Sequence, residues 1–198
     1  MKIIGLTGGI ASGKSTVSDY LKSKNIPVID CDKESRLVLQ RGTRGYCKTV
    51  ERFGNGILTK DGDIDRKALA SIVFKNEELV KALNEIIHPE VIDITQNYID
   101  TYRKNGEKTV VVDAPLLIEA GMHKICDELW VVYTSPEVQL QRAMKRDNAT
   151  REQIEERIKN QSSLEEKKKL ADRLIPNDGT VDELYSRVDE LLMITEQE

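Results

Sequence analysis

Short apolar runs alternate along this chain with longer stretches in which apolar residues return every third or fourth position. The runs KIIGLT (2–7), PVID (27–30), TVVVDAP (109–115), LWVVYT (129–134) and RLIPN (173–177) read as strands. VVV and WVV show no polar alternation. Unbroken β-branched runs of this kind suit strands covered on both faces, as in a parallel sheet between layers of helices. Strands separated by helical stretches therefore predict an α/β fold, a doubly wound, parallel five-stranded sheet flanked by helices.

The helical stretches differ in character. Val17, Tyr20 and Leu21 give residues 14–24 one apolar face, and the N-I-P sequence at 25–27 ends that helix, because the residue before a proline is pushed out of helical geometry. Between 61 and 103, Leu69, Ile72, Val73, Leu79, Val80, Leu83, Ile86 and Ile87 recur at helical spacing with no strand-like run. Asp63 or Asp65 caps the first helix of this block, and Pro89 is expected to break it before EVIDITQNYIDTY resumes the pattern. The block is too long for a simple crossover and predicts an inserted helical subdomain. Residues 136–170 are helical, highly charged and poor in apolar positions, which predicts a mobile lid, with Thr150 and Gln153 forming a capping box. Residues 181–192 place Val181, Leu184, Val188, Leu191 and Leu192 on one face of a last helix that docks on the sheet, and the TEQE end is expected to fray. The core is thus assembled from 1–60, 104–135 and 171–198.

Composition narrows the classes of function. The 198 residues carry a net charge of −4, so no basic field argues for nucleic acid as a partner. Cys31, Cys47 and Cys126 are far apart and form no metal-binding spacing, as expected of reduced thiols in a cytoplasmic protein. No run approaches the ~20 apolar residues that span a bilayer, and MKIIGLTGGI is punctuated by glycine unlike a signal peptide.

The chemistry begins at Gly8-Gly9-Ile10-Ala11-Ser12-Gly13-Lys14-Ser15, followed by Thr16, which fits G-x-x-x-x-G-K-[ST] between a strand and a helix. Glycines let the backbone curl so that its N–H groups face phosphate oxygens, and the helix N-terminus adds positive potential. Lys14 is placed to reach the β- and γ-phosphates of ATP, and the Ser15 hydroxyl to ligate Mg²⁺. Asp113 ends a buried strand as a Walker-B-type acid does, orienting Mg²⁺ directly or through water. Asp30 and Asp32 follow the second strand; Asp30 reads as a helix cap and Asp32 as the base near an acceptor hydroxyl. No N-K-x-D element is present, which argues against a guanine-nucleotide switch. Arg142 and Arg146, four apart on one helical face, fit either a polyphosphate clamp or a solvated surface. His88 reads on chemistry alone as a cap or core histidine. Another small-molecule or nucleoside monophosphate kinase on this scaffold remains compatible with these residues.

The motifs together resemble the dephospho-CoA kinases over nearly the whole chain. GLTGGIASGKST is similar to that family's phosphate loop, VIDCD to its D-x-D element, GDIDRKALASIVF and EIIHPEV to two stretches of its helical CoA domain, and VVVDAPLLIEAG to its D-x-P-L-L-x-E stretch. QRAMKRD, RIKNQ and ADRLIPN resemble its lid and final strand. The resemblance implies transfer of the ATP γ-phosphate to the ribose 3′-hydroxyl of dephospho-CoA, the last step of coenzyme A synthesis. It implies that Lys14 and the loop hold ATP, that Asp32 is the base, and that Arg142 and Arg146 belong to the lid. It places Asn177 near the adenine, makes 61–103 the CoA domain, and brings His88, Asp113 and Leu116 to the acceptor. Mg²⁺ is the implied cofactor, and a monomer or weak homo-oligomer the expected state. Ala11 stands where the family usually has glycine; its N–H serves if φ stays negative, which is the expectation here.

Overall fold

A computed structural model describes residues 1–73, 75–159 and 161–197, with only the backbone of Glu196. Phe74, Asn160 and Glu198, which fall in the expected helical block, lid and C-terminal segment, lie outside the described residues. In chain order the elements are β1 (Lys2–Gly8), α1 (Lys14–Ser23), β2 (Val28–Asp30), α2 (Cys31–Val38), α3 (Arg44–Phe53), α4 (Arg66–Val73) and α5 (Glu77–Lys104). They continue with β3 (Thr109–Asp113), β4 (Glu128–Tyr133), α6 (Pro136–Asp147), α7 (Arg151–Lys159), α8 (Leu164–Leu170), β5 (Arg173–Pro176) and α9 (Val181–Gln197).

The strands form one five-stranded parallel sheet in the order β2-β3-β1-β4-β5. The apolar runs become its buried centre: Val110, Val111, Val112, Trp130, Val131 and Val132 are all fully buried. Leu6 of β1 registers with Asp113 of β3 and with Trp130 of β4, so the carboxyl ends of the three central strands share one edge of the sheet. That edge is where ligands bind in open α/β sheets. The chain divides into two compact units, Met1–Ile29 with Thr101–Glu198, and Asp30–Asp100.

In the first unit, α1 and α9 cover one sheet face, with Val17, Leu21, Leu184, Val188 and Leu191 packed around Ile4, Leu6, Trp130 and Ile175. The last helix continues into the end where the sequence suggested fraying, as far as Gln197. It runs through Thr195, which is buried and donates to Glu128 Oε2 (2.8 Å), the oxygen that also accepts the Trp130 indole N–H (2.9 Å). A buried carboxylate needs such donors, and supplying one holds the helix end in place. Helices α6 and α7 share a small core: Leu140, Ala143 and Ile154 pack with Ile10, Ala11 and Ile158. The sparse apolar positions of this stretch therefore converge, partly on the loop after β1. Thr150 and Gln153 exchange the expected capping-box bonds (3.0 and 3.4 Å).

In the second unit, Ile57, Leu69 and Val73 form a core with Val50, Phe53, Ile72, Val80 and Leu83. Asp65 supplies the cap for α4, accepting from the N–H groups of Lys67 (2.9 Å) and Ala68 (3.1 Å). Asp30 caps α2 through the Lys33 N–H (3.0 Å), as expected. Helices α2 and α3 were not legible in the apolar pattern, and both lie in this unit. Pro89 does not break the helix: α5 runs 28 residues through it. A proline deletes one donor and crowds one carbonyl, and α5 is fixed on both sides of that defect, by Val80 and Leu83 before it and by buried Val91, Thr95 and Ile99 after it.

Candidate active site

β1 ends at Gly8, and the chain turns through Gly9–Gly13 into α1. A Cβ at Gly8 would stand 2.5 Å from both Ser12 Oγ and Val132 O, so only glycine lets the loop lie this close to β4. Gly13, with φ +96°, is the left-handed residue from which α1 starts, and a Cβ there would run into the Asn177 amide. Helical geometry gives the first N–H groups of α1 no partner within the helix, so they are available to an anion. Ser12 Oγ is buried and has no hydrogen-bond partner among the described residues. A buried hydroxyl in that condition suits a loop that receives acceptor oxygens from a ligand.

Ala11 departs from expectation. Its φ is +54°, the left-handed region, rather than negative. An L residue there costs about 1–2 kcal/mol. The Ala11 methyl packs against the α6–α7 cluster of Leu140, Ala143 and Ile154, which offsets part of that cost. Ala11→Gly should accordingly be nearly neutral. The strain relieved, about 1–2 kcal/mol, is opposed by about 0.4–1 kcal/mol of added unfolded-chain freedom and about 0.8 kcal/mol of lost methyl burial. Ala11→Val should cost about 1–3 kcal/mol, because a β-branched side chain is not tolerated at positive φ. Thermal melts of the two variants check this.

The Lys14 ammonium is ion-paired with the carboxylate of Asp113, which is 5% exposed at the end of β3. The loop lysine and the strand-ending acid thus meet at the carboxyl edge of the sheet. Ser15, in the first turn of α1, is exposed, and Leu116, just beyond Asp113, is 37% exposed. Asn177 follows β5. Its side-chain amide donates to Ser12 O (2.8 Å), its backbone N–H donates to Tyr133 O (2.8 Å), and its carbonyl accepts from Arg142 Nη1 (2.8 Å). Asn177 is therefore a brace for the phosphate loop, and Arg142 reaches that loop through it. Arg146 points elsewhere: it makes a forked contact with Asp147 (2.7 and 3.1 Å), which also accepts from Arg157 (2.9 Å). The hydrogen bonds and charge of Arg146, aided by Arg157, hold the Asp147 carboxyl below its usual range. A cavity of about 690 Å³ lies within this unit, lined among others by Gly9, Ser12, Arg151, Lys159, Ser162 and Lys167.

In the second unit, Asp32 is exposed in the first turn of α2, where the helix N-terminus favours a carboxylate. His88 is half-buried in α5, and burial pushes its imidazole below the usual range, so it is neutral at pH 7. Sequence reasoning passed over Gln139, whose amide lies beside Gly9, and Lys167, a buried cation of α8. Nothing in the run Lys167–Lys169 distinguishes one lysine from the next; only the fold does.

A family model described as dephospho-CoA kinase (CoaE) matches residues 2–183. The chain belongs to the dephospho-CoA kinase family. It is thus a kinase, as the loop and Asp113 imply. The dephospho-CoA kinase of Bacillus anthracis is 48% identical over 179 residues, 90% of each chain. That of Carboxydothermus hydrogenoformans is 45% identical over 95% of this chain and 91% of its own. The solved dephospho-CoA kinase of Campylobacter jejuni is 29% identical, with a TM-score of 0.75 over 100% of this chain and 98% of that one. Shikimate kinase from Acinetobacter baumannii, at 17% identity and a TM-score of 0.58 over 100% of this chain and 96% of its own, shares the fold alone.

Proposed function

We infer that this chain transfers the γ-phosphate of ATP to the ribose 3′-hydroxyl of dephospho-CoA, giving coenzyme A and ADP. The observation that carries the reading is the Lys14–Asp113 pair at the carboxyl edge of the sheet, beneath a glycine loop, in a chain of this family. In this reading the backbone of Gly8–Thr16 and Lys14 hold the ATP phosphates. Asp32 orients the acceptor hydroxyl and takes its proton late, because phosphoryl transfer has a loose transition state. His88 and Leu116 contribute to holding dephospho-CoA, and the helical block 61–103, which contains His88, serves as the CoA domain. Arg142, held beside the phosphate loop on Asn177 O, stabilises charge on the transferring group from the lid, and Arg146 joins it on release from Asp147. Asn177 supports the loop from the side on which the adenine is expected.

Ser15 and Asp113 are suited to Mg²⁺. They offer one hydroxyl and one carboxylate, and Mg²⁺ commonly takes one or two protein oxygens and completes its shell with phosphate oxygens and water. When bound, the ion neutralises charge on the β- and γ-phosphates. The free thiols of Cys31, Cys47 and Cys126 fit a reducing cytoplasm, and a monomer or weak homo-oligomer suffices for the activity.

An acceptor panel tests the reading. ADP release, coupled to a dehydrogenase, is expected above the acceptor-free rate with dephospho-CoA and not with adenosine, shikimate or nucleoside monophosphates. Equal rates with and without every acceptor would make the protein a nucleotide hydrolase or switch instead.

A further inference from the structure

Lys167 is 1% exposed on α8, a helix whose other charged side chains lie at least partly in solvent. An ammonium withdrawn from water is costly unless it is paired and hydrogen-bonded. Lys167 Nζ donates to Pro115 O (3.2 Å) and ion-pairs with Glu119 Oε1 (3.4 Å). Each partner is itself engaged. Pro115 O also accepts from Thr7 Oγ1 (3.2 Å), next to the phosphate loop, and Glu119 Oε1 also accepts the Ser162 N–H (2.8 Å). Burial acts to raise the Glu119 carboxyl, but the bonds from Ser162 and its own backbone, with the charge of Lys167, hold it below the usual range. Both ends of the segment Ser162–Lys167 are therefore fastened to Pro115–Glu119, which begins two residues after Asp113. Ser162 and Lys167 also line the cavity that Gly9 and Ser12 line.

We propose that Lys167, paired with Glu119, is a positioning residue for phosphoryl transfer: it fastens the lid to the segment following Asp113 and so fixes the lid side of the cavity relative to the phosphate loop. It acts through the lid and touches no reacting atom. A lid held out of register admits water to the phosphoryl group, so its loss shows as uncoupling as well as slowing. The inference rests on the kinase reading above.

The test uses the full-length protein and measures ADP and phosphorylated product in the same reactions, for wild type, Lys167→Met, Lys167→Arg and Glu119→Gln. Lys167→Met is expected to lower kcat about tenfold or more, to leave the KM for ATP within about twofold, and to raise ADP formed per product. Lys167→Arg, which retains a buried cation and donors, is expected to restore most of kcat and the coupling. Wild-type kcat and coupling in Lys167→Met, with only a lower Tm, would overturn the proposal and make the pair merely structural. If Lys167→Met does not fold, Glu119→Gln decides: uncoupled turnover supports the proposal, and wild-type coupling overturns it. Failure of the wild type to phosphorylate dephospho-CoA would instead overturn the kinase reading.

Discussion

Lys14→Met is expected to lower kcat/KM for ATP by on the order of 10²–10³, the loss typical of removing one preorganised charge-stabilising donor. Methionine preserves the length and apolar stem of lysine, so the loop backbone keeps its path while the ammonium is lost. The same substitution removes a cation from beside the buried carboxylate of Asp113. The pair is only part-buried, so breaking it from one side is expected to cost about 1–3 kcal/mol of stability. The two effects separate in a second variant: Lys14→Met with Asp113→Asn should regain most of the stability and none of the activity. Urea melts and initial rates over a range of ATP concentrations check both. A single variant that retains near-normal kcat/KM would remove Lys14 from the phosphate site.

Asp32→Asn is expected to lower kcat by on the order of 10²–10⁴ while the Kd for ATP, measured by calorimetry, stays within about twofold. The change is isosteric, and Asp32 is exposed in the first turn of α2, so stability should move by no more than about 0.5 kcal/mol. A normal fold and normal ATP binding with turnover lost would mark a group that acts on the acceptor rather than on the nucleotide. Near-normal kcat in this variant would take the base role from Asp32.

The parts of this protein that were legible in its sequence are those that local physics dictates. Val110–Val112 and Trp130–Val132 announce buried strands because no alternation is needed where both faces are covered. The loop residues Gly8 to Ser15 and the acid Asp113 announce the candidate site because phosphate binding requires few residue types at fixed spacing. Asp30, Asp65 and Thr150 announce helix starts because a capping oxygen has a narrow geometry. What stayed hidden depends on distant partners. Pro89 is a helix breaker locally and is overridden by packing along α5. The terminal turns of α9 are held by Thr195 on Glu128, 67 residues away. Ala11 looks free to keep a negative φ until the loop closure and the Leu140–Ile154 cluster show otherwise. Lys167 is one lysine among three in a row until α8 turns it inward onto Glu119. Arg142 and Arg146 share a helical period yet take different partners, Asn177 O and Asp147.

The destination of the phosphate decides the function. Purified protein is incubated with ATP, Mg²⁺ and dephospho-CoA, and the product is resolved by phosphorus NMR together with mass spectrometry. One new phosphomonoester coupled to the ribose H3′ is expected, formed in equal amount to ADP, in a product that co-elutes with coenzyme A. ADP accompanied only by inorganic phosphate, or an ester at any other position, would contradict transfer to the 3′-hydroxyl.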